Sequence, residues 1–286
     1  MGISVITPST LREQTLRCLD RLPKMSPMLT QLLGQLSRRN CDIQELVETV
    51  ERDPMLSGQV LRLANSAIFA RLRPVSSVRH AIAMIGISAL RKFALGSSIS
   101  NLFSRSRMAK HFSVRRFNVH SVATATLLEL LSDEISFECG HDAFIAGLLH
   151  DVGKLLIAVS LPRQYDDILA LTAVNGATLI QAERDVIGID HAELSALAIS
   201  RWELSEGIQS AAADHHQPPE PSAKPKLSLG VHHADAYINH LGMSVLAIPL
   251  PCQKAETLEI PGLAFPQKRV LAAFEQEIQT LGNLFH

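Results

Sequence analysis

The sequence predicts an all-α fold, and three observations carry that expectation. Hydrophobic residues make up 47% of the 286-residue chain but aromatics only 5%, so the core must come mainly from Leu, Ile, Val and Ala. That mixture favours helices over a β-sandwich. Apolar residues recur at helical spacing through most of the chain, and capping residues and prolines punctuate the stretches where helices start and stop.

In chain order, Ile43 to Val50 repeats apolar residues at helical spacing, with Asp42 as N-cap and Glu45 at the capping-box position. Asp53-Pro54 ends that helix and starts the next, because Pro is tolerated in a first turn. Leu56, Val60, Leu61, Leu63 and Ala64 then form one apolar stripe, and Asn65-Ser66 reads as a structural bend. Pro74 and Ser76-Ser77 precede a helical stretch from Val78 to Leu90, in which Gly86 permits a turn or a close helix approach. A further helix is expected from Ser88 to about Phe103.

A second block runs from Val114 to about Asn239. It contains helices over Phe117 to Leu131 and Asp142 to Val159, then a break at Pro162. Shorter helices follow over Ile168 to Val174, Thr178 to Ile187, His191 to Trp202 and Glu206 to His215. Four prolines make Gln217 to Lys226 a loop before the helix Leu227 to Leu241. Pro249, Pro251, Pro261 and Pro266 keep the tail irregular until a last helix near Lys268 to Leu281. There is no internal repeat.

No apolar run is read as long enough to cross a bilayer, and the N-terminus lacks a charged stretch followed by an apolar core, so a soluble, cytoplasmic protein is expected. Cys18, Cys41, Cys139 and Cys252 are scattered, with no CxxC pair, and read as reduced thiols rather than a disulfide or zinc framework. The net charge of −1 hides an asymmetry. No acidic residue lies between Asp53 and Glu129, where eleven Lys and Arg fall, among them Arg62, Arg71, Arg73, Arg79, Arg91 and Lys92. Such a stretch is a solvated face, an electrostatic contact between halves of the chain, or an anion-binding face.

The chemically unusual segment is Phe144 to Val159. It is apolar on most of its circumference, as a central buried helix would be, yet it carries His150, Asp151 and Lys154. A lone buried carboxylate costs several kcal/mol, so Asp151 needs a metal, a cation or several hydrogen bonds. Lys154, four residues after His150, is placed to meet a phosphate oxygen or to neutralise Asp151. Candidate co-ligands are His120, His191, His215, His216 and Asp235. Imidazole and carboxylate without thiolate suit Fe, Mn, Zn or Ni. Five histidines and two aspartates exceed the needs of one ion, so one or two divalent ions are expected, two being better served by a bridging carboxylate. Read without a metal, His150-Asp151 is a buried hydrogen-bonded pair, and His215-His216 a helix C-terminus with favourable dipole contacts. His141-Asp142 reads as a helix start rather than a ligand pair.

Leu148-Leu-His-Asp-Val-Gly-Lys154 resembles the signature of HD-domain metal-dependent phosphohydrolases. The wider chain is similar to the HDOD family, the HD-related output domains of bacterial signalling proteins. The resemblance rests on Leu22-Pro-Lys-Met-Ser-Pro27, Glu51-Arg-Asp-Pro-Met55, Val60-Leu-Arg-Leu-Ala-Asn-Ser66, Ala81-Ile-Ala-Met-Ile-Gly86, Asp190-His-Ala-Glu193, Trp202 and His215-His216-Gln-Pro218. It implies a two-lobed helical fold: an N-terminal segment 1–19, an HDOD domain 20–240 divided into lobes 20–112 and 113–240, and a tail 241–286. It also implies that the seven ligand candidates stand where the HD-GYP branch holds two metals. The Gly-Tyr-Pro element of that branch is absent, since the chain reads Gln217-Pro-Pro-Glu-Pro-Ser222.

Two functions are expected from this. One is a signalling output module that acts through a protein partner, with a divalent metal at its retained site and its input supplied by another chain or a ligand. The other is a metal-dependent phosphohydrolase or phosphodiesterase acting on a nucleotide or other phosphoester, with Lys154 on a phosphate oxygen and the basic stretch steering the anion. Neither needs a membrane or a nucleic acid.

Overall fold

The computed structural model describes residues 8–20, 22–25, 30–32, 34, 42–66, 69, 74–103, 106–175, 177–218, 220, 222, 224–246 and 258–279, and all regular structure among them is helical. Cys41, Cys252, Arg71 and Arg73 lie outside the described residues, while Cys18 and Cys139 are free thiols.

The helices after Asp42 and Asp53 start where their caps predict. Helix α2 (Ile43–Glu51) begins at Asp42, whose carboxylate accepts the Gln44 N–H at 2.7 Å. Helix α3 (Pro54–Ala64) begins at Asp53, which accepts the Met55 and Leu56 N–H groups. Asn65 then clasps the following loop. Its side-chain amide donates to the Val75 carbonyl and accepts from the Val75 N–H, so the bend is a designed closure. Downstream, the helix expected to run through to Leu90 stops at Ile85. Helices α4 (Val78–Ile85) and α5 (Ile87–Asn101) meet at 109° across Gly86, whose φ of +86° disfavours any residue with a Cβ.

Helix α5 carries the chain to α6 (Val114–Glu134), the longest helix, which buries Phe117, Leu127, Leu128 and Leu131 almost completely. Each such side chain contributes roughly 1.5–3 kcal/mol of burial energy. The helix expected from Asp142 to Val159 is in fact two, α7 (Ala143–Leu149) and α8 (Val152–Ser160), interrupted at His150-Asp151. The break expected at Pro162 is present: α8 ends at Ser160, and Pro162 opens α9 (Pro162–Asn175), because a first-turn residue has no need of its N–H. Then come α10 (Leu179–Ile187), α11 (His191–Arg201), α12 (Glu206–Asp214), α13 (Leu227–His240) and α14 (Gln267–Ile278).

Two glycines set the spacing of the central helices. A Cβ on Gly147 would lie 2.6 Å from the Ala125 Cα, and one on Gly153 would lie 2.1 Å from the His191 carbonyl oxygen. Only glycine lets α7 touch α6, and α8 touch the start of α11, at these distances. Contrary to the sequence expectation, the stretch Gly140–Ser160 is long and apolar enough to cross a bilayer, but 89% of its most apolar window is buried inside the fold. It forms part of the buried core of the fold.

The segment expected to precede the domain holds a helix, α1 (Pro8–Asp20), that packs on α8, α10 and α11. Arg12 pairs with Glu193 and Arg201 with Asp20, and the Trp202 indole donates to the Pro23 carbonyl. At the other end, α14 packs on α6, and Glu277 accepts from both Ser88 and the buried Lys92 of α5.

Candidate metal centre

Six helices deliver the ligand candidates to one place. His120 lies in α6, His150 ends α7, and Asp151 forms the turn into α8. His191 is the first residue of α11, His215 and His216 follow α12, and Asp235 sits within α13. Adjacent positions on a continuous helix point about 100° apart, so His150 and Asp151 on one helix would diverge. The break between α7 and α8 removes the conflict: His150 Nε2 and Asp151 Oδ2 lie 3.4 Å apart.

The ligand atoms form two groups sharing Asp151. Asp151 Oδ2 lies 3.2 Å from His120 Nε2, which is in turn 3.1 Å from Asp235 Oδ1. Asp151 Oδ1 faces the other way, 3.3 Å from His191 Nε2 and 3.8 Å from His215 Nε2. His216 Nε2 closes this second group, 2.8 Å from His191 Nε2. Within each of the sets His120–His150–Asp151–Asp235 and His191–His215–His216, the ligand atoms lie within 4.8 Å of one another. All seven expected ligands are therefore brought together, with one carboxylate between two halves.

The imidazoles are pre-oriented. His120 Nδ1 donates to the Met243 carbonyl, His150 Nδ1 to the Gly147 carbonyl, and His215 Nδ1 to the Ala212 carbonyl, at 2.7–3.0 Å. His191 Nδ1 donates to Glu183 Oε2 at 2.7 Å. A carbonyl or carboxylate can only accept, so each Nδ1 carries a proton and each Nε2 faces the shared centre. Glu183, itself buried, is a functional residue the sequence reading missed. Nothing local marks it, because it lies eight positions before His191 on a different helix. His232 adds support by donating Nδ1–H to the His215 carbonyl.

Among the protein's own groups, charge balance in the centre falls to two. Burial pushes the His120 imidazolium down, but its hydrogen bonds to Asp151 and Asp235 outweigh this and push its pKa up to about 9. Lys154 Nζ donates to Asp151 Oδ2 at 2.5 Å, and despite the opposing effect of burial this carboxylate holds the lysine charged. Burial would raise Asp151 and Asp235, yet their cationic neighbours hold both well below the usual carboxylate range. Burial drives His215 well below its usual value and His216 down to about 3, which leaves neutral imidazoles, the form that ligates.

The residues present fit a metal. Asp151 Oδ1 and His215 Nε2 are buried without a hydrogen-bond partner, although such atoms are almost always satisfied. A divalent cation held by the His191–His215–His216 group would complete both atoms, and one held by the His120–His150–Asp151–Asp235 group would displace the proton on His120.

Part of the basic stretch is engaged within the fold. Arg91 makes two bonds to Glu129 at 2.8 and 3.0 Å and lies 3.9 Å over the Phe144 ring, and Lys92 is committed to Glu277. Arg79 donates to Gln44, while Arg62 is exposed at the end of α3. Arg91 and Lys92 thus carry the electrostatic contact between halves of the chain.

Comparison with known proteins agrees with this architecture. The family model described as HDOD domain matches residues 22–218. A solved HDOD domain protein of unknown function from Geobacter sulfurreducens superposes with a TM-score of 0.72 at 24% identity, over 96% of this chain and 97% of that one. A Shewanella amazonensis chain provisionally named a phosphohydrolase superposes at 0.68 with 22% identity, over 96% and 98%. At these identities the likeness is one of fold. An uncharacterised protein of Treponema pallidum is 22% identical over 211 residues, which are 70% of this chain and 39% of that protein. The uncharacterised protein YuxH of Bacillus subtilis is 28% identical over 126 residues, 44% of this chain and 30% of that protein. The chain therefore spans well under half the length of these relatives.

Proposed function

The chain belongs to the HDOD domain family, and on that premise we propose that it is a cytoplasmic regulatory output module of bacterial signalling, built around a divalent-metal centre. The observation that carries this reading is Asp151. Its two oxygens face two separate histidine groups, at 3.2 and 3.3 Å, while the residue is wholly removed from solvent. A centre so enclosed suits an ion that fixes six helices in place better than one that must admit and release a substrate. The absence of the Gly-Tyr-Pro element after His216 points the same way, and the N-terminal lobe offers surface for a protein partner.

His120, His150, Asp151 and Asp235 would hold one ion, and His191, His215 and His216 a second that shares Asp151. A bound ion supplies Lewis acidity and fixed positive charge. Lys154 keeps Asp151 ionised and aligned, Glu183 keeps His191 aligned, and the Met243 carbonyl keeps His120 aligned.

One observation favours a phosphohydrolase as the second reading. Asp235 is 10% exposed at its side chain and His216 is only partly buried, so one edge of the cluster reaches solvent. A phosphoester entering there would meet the centre beside Lys154.

Elemental analysis of purified protein, with anomalous scattering to identify the metal, tests the centre. One to two ions per chain are expected, falling to well under one in Asp151→Ala. A wild-type protein with well under one ion per chain refutes both readings. Turnover of bis-p-nitrophenyl phosphate that is lost in Asp151→Ala would replace the first reading with the second.

A further inference from the structure

Away from the metal centre, a cavity of about 700 Å³ lies where α1, the end of α8 and the segment joining the two lobes converge. Its floor is apolar, built from Leu22, Phe103, Leu156 and Val159. Its polar groups are Arg17, Arg107, Gln14, Cys18, Ser106 and Ser160, and none of the described lining residues is acidic. Arg107 is exposed and has no carboxylate partner among the described residues, and Arg17 has only Glu13, 3.6 Å away, with both side chains largely in solvent.

We infer that this cavity binds a small organic phosphate of nucleoside-monophosphate size. The volume lies within the range of ligand pockets, roughly 300–1,000 Å³, and far exceeds what inorganic phosphate fills. Two guanidinium groups, Arg107 with no carboxylate partner among the described residues and Arg17 with only the solvent-exposed Glu13, match a dianionic phosphate, and guanidinium is the side chain best shaped to grip one. The apolar floor takes the uncharged body of the ligand, and the serine hydroxyls offer bonds to a sugar.

Position gives the site its consequence. Phe103 and Arg107 belong to the connection from α5 to α6, so an occupant touches both lobes at once. Leu156, Val159 and Ser160 lie on α8, whose first turn carries Lys154 beside Asp151. A ligand here would fix the placement of the lobes and brace the helix that starts at the metal centre. Binding itself does not depend on a metal; its role as the input of the module rests on the regulatory reading above.

Titration calorimetry of the full chain with adenosine 5′-monophosphate tests the site, with adenosine and inorganic phosphate titrated separately. The monophosphate should bind more tightly than either part alone. Arg17→Glu and Arg107→Glu, both at exposed positions that leave the fold intact, should each weaken binding about tenfold, the scale of one lost charge-assisted bond. Arg62→Glu, at an exposed position outside the cavity, should leave it unchanged. Circular dichroism confirms that each variant is folded. Ser160→Trp, which fills the cavity without altering charge, should abolish binding. No measurable binding of the monophosphate by wild type overturns the inference, as does binding indifferent to both Arg17 and Arg107. Binding lost in Asp151→Ala but normal in the Arg17 and Arg107 variants also overturns it, by placing the nucleotide at the metal centre.

Discussion

Glu183 Oε2 accepts two hydrogen bonds from His191, one from its backbone N–H at 2.9 Å and one from its ring Nδ1 at 2.7 Å. One buried oxygen therefore fixes both the start of α11 and the direction in which the imidazole presents Nε2. Partners of this kind typically account for about 10–100-fold in metal affinity. Glu183→Ala should weaken metal binding by that factor in competition with a chelator. Glu183→Gln keeps an acceptor oxygen and should cost less. Equal affinity in wild type and Glu183→Ala would remove Glu183 from the centre.

The Lys154–Asp151 pair gives a prediction that depends on metal. Breaking a buried ion pair by removing one partner costs about 3–5 kcal/mol, because the remaining charge is left uncompensated. Here His120 also faces Asp151, so Lys154→Met should cost about 3 kcal/mol in urea unfolding with chelator present. With the native metal restored, the ion faces the same carboxylate and the loss should shrink. A loss of equal size in both conditions would mean that Lys154 acts through packing alone.

The centre was legible in the sequence because its residues are chemically anomalous where they stand. His150, Asp151 and Lys154 interrupt an apolar helix, and His215-His216 precedes a proline loop. Helix starts were legible from Asp42, Asp53 and Thr178, whose side chains cap as their residue types dictate. Other features were set by tertiary contact and leave no local mark. Glu183 is an ordinary helix residue until α11 is placed beside it. The break at His150-Asp151 follows from two ligands needing one target, which periodicity does not encode. Helix α1 is short of apolar residues, and Leu11 and Leu19 become core positions only against the HD-like lobe. Arg91 and Lys92 lie in a stretch without acids, and their partners Glu129 and Glu277 lie 38 and 185 positions away.

Gly153 offers a test of how tightly α8 and α11 must meet. Its backbone N–H donates to Ser195 Oγ at 2.8 Å, and a Cβ would collide with the His191 backbone. Gly153→Ala should push α11 away, cost about 1–3 kcal/mol as overpacking does, and weaken metal binding because His191 moves with it. Gly58, within α3, is the control, since a Cβ there meets nothing within 4 Å. Gly58→Ala should stabilise by up to about 1 kcal/mol through helix propensity and leave metal content unchanged. Unaltered metal affinity in Gly153→Ala would show that the glycine serves packing only.

Arg91 and Glu129 tie α5 to α6, and Arg91 also covers the Phe144 ring in the first turn of α7. The pair is mostly shielded, with side chains 16% and 32% exposed, so its bonds are less screened than a surface pair. A hydrogen bond to a charged group contributes about 1.5–3 kcal/mol, so Arg91→Ala should destabilise by about 2 kcal/mol. Arg62→Ala, at an exposed position, should stay within about 0.5 kcal/mol. A double-mutant cycle of Arg91→Ala with Glu129→Ala isolates the pair, and a coupling of at least about 1 kcal/mol is expected for residues in direct contact. Coupling near zero would instead leave Arg91 available to an outside anion, returning the basic stretch to the role of a binding face.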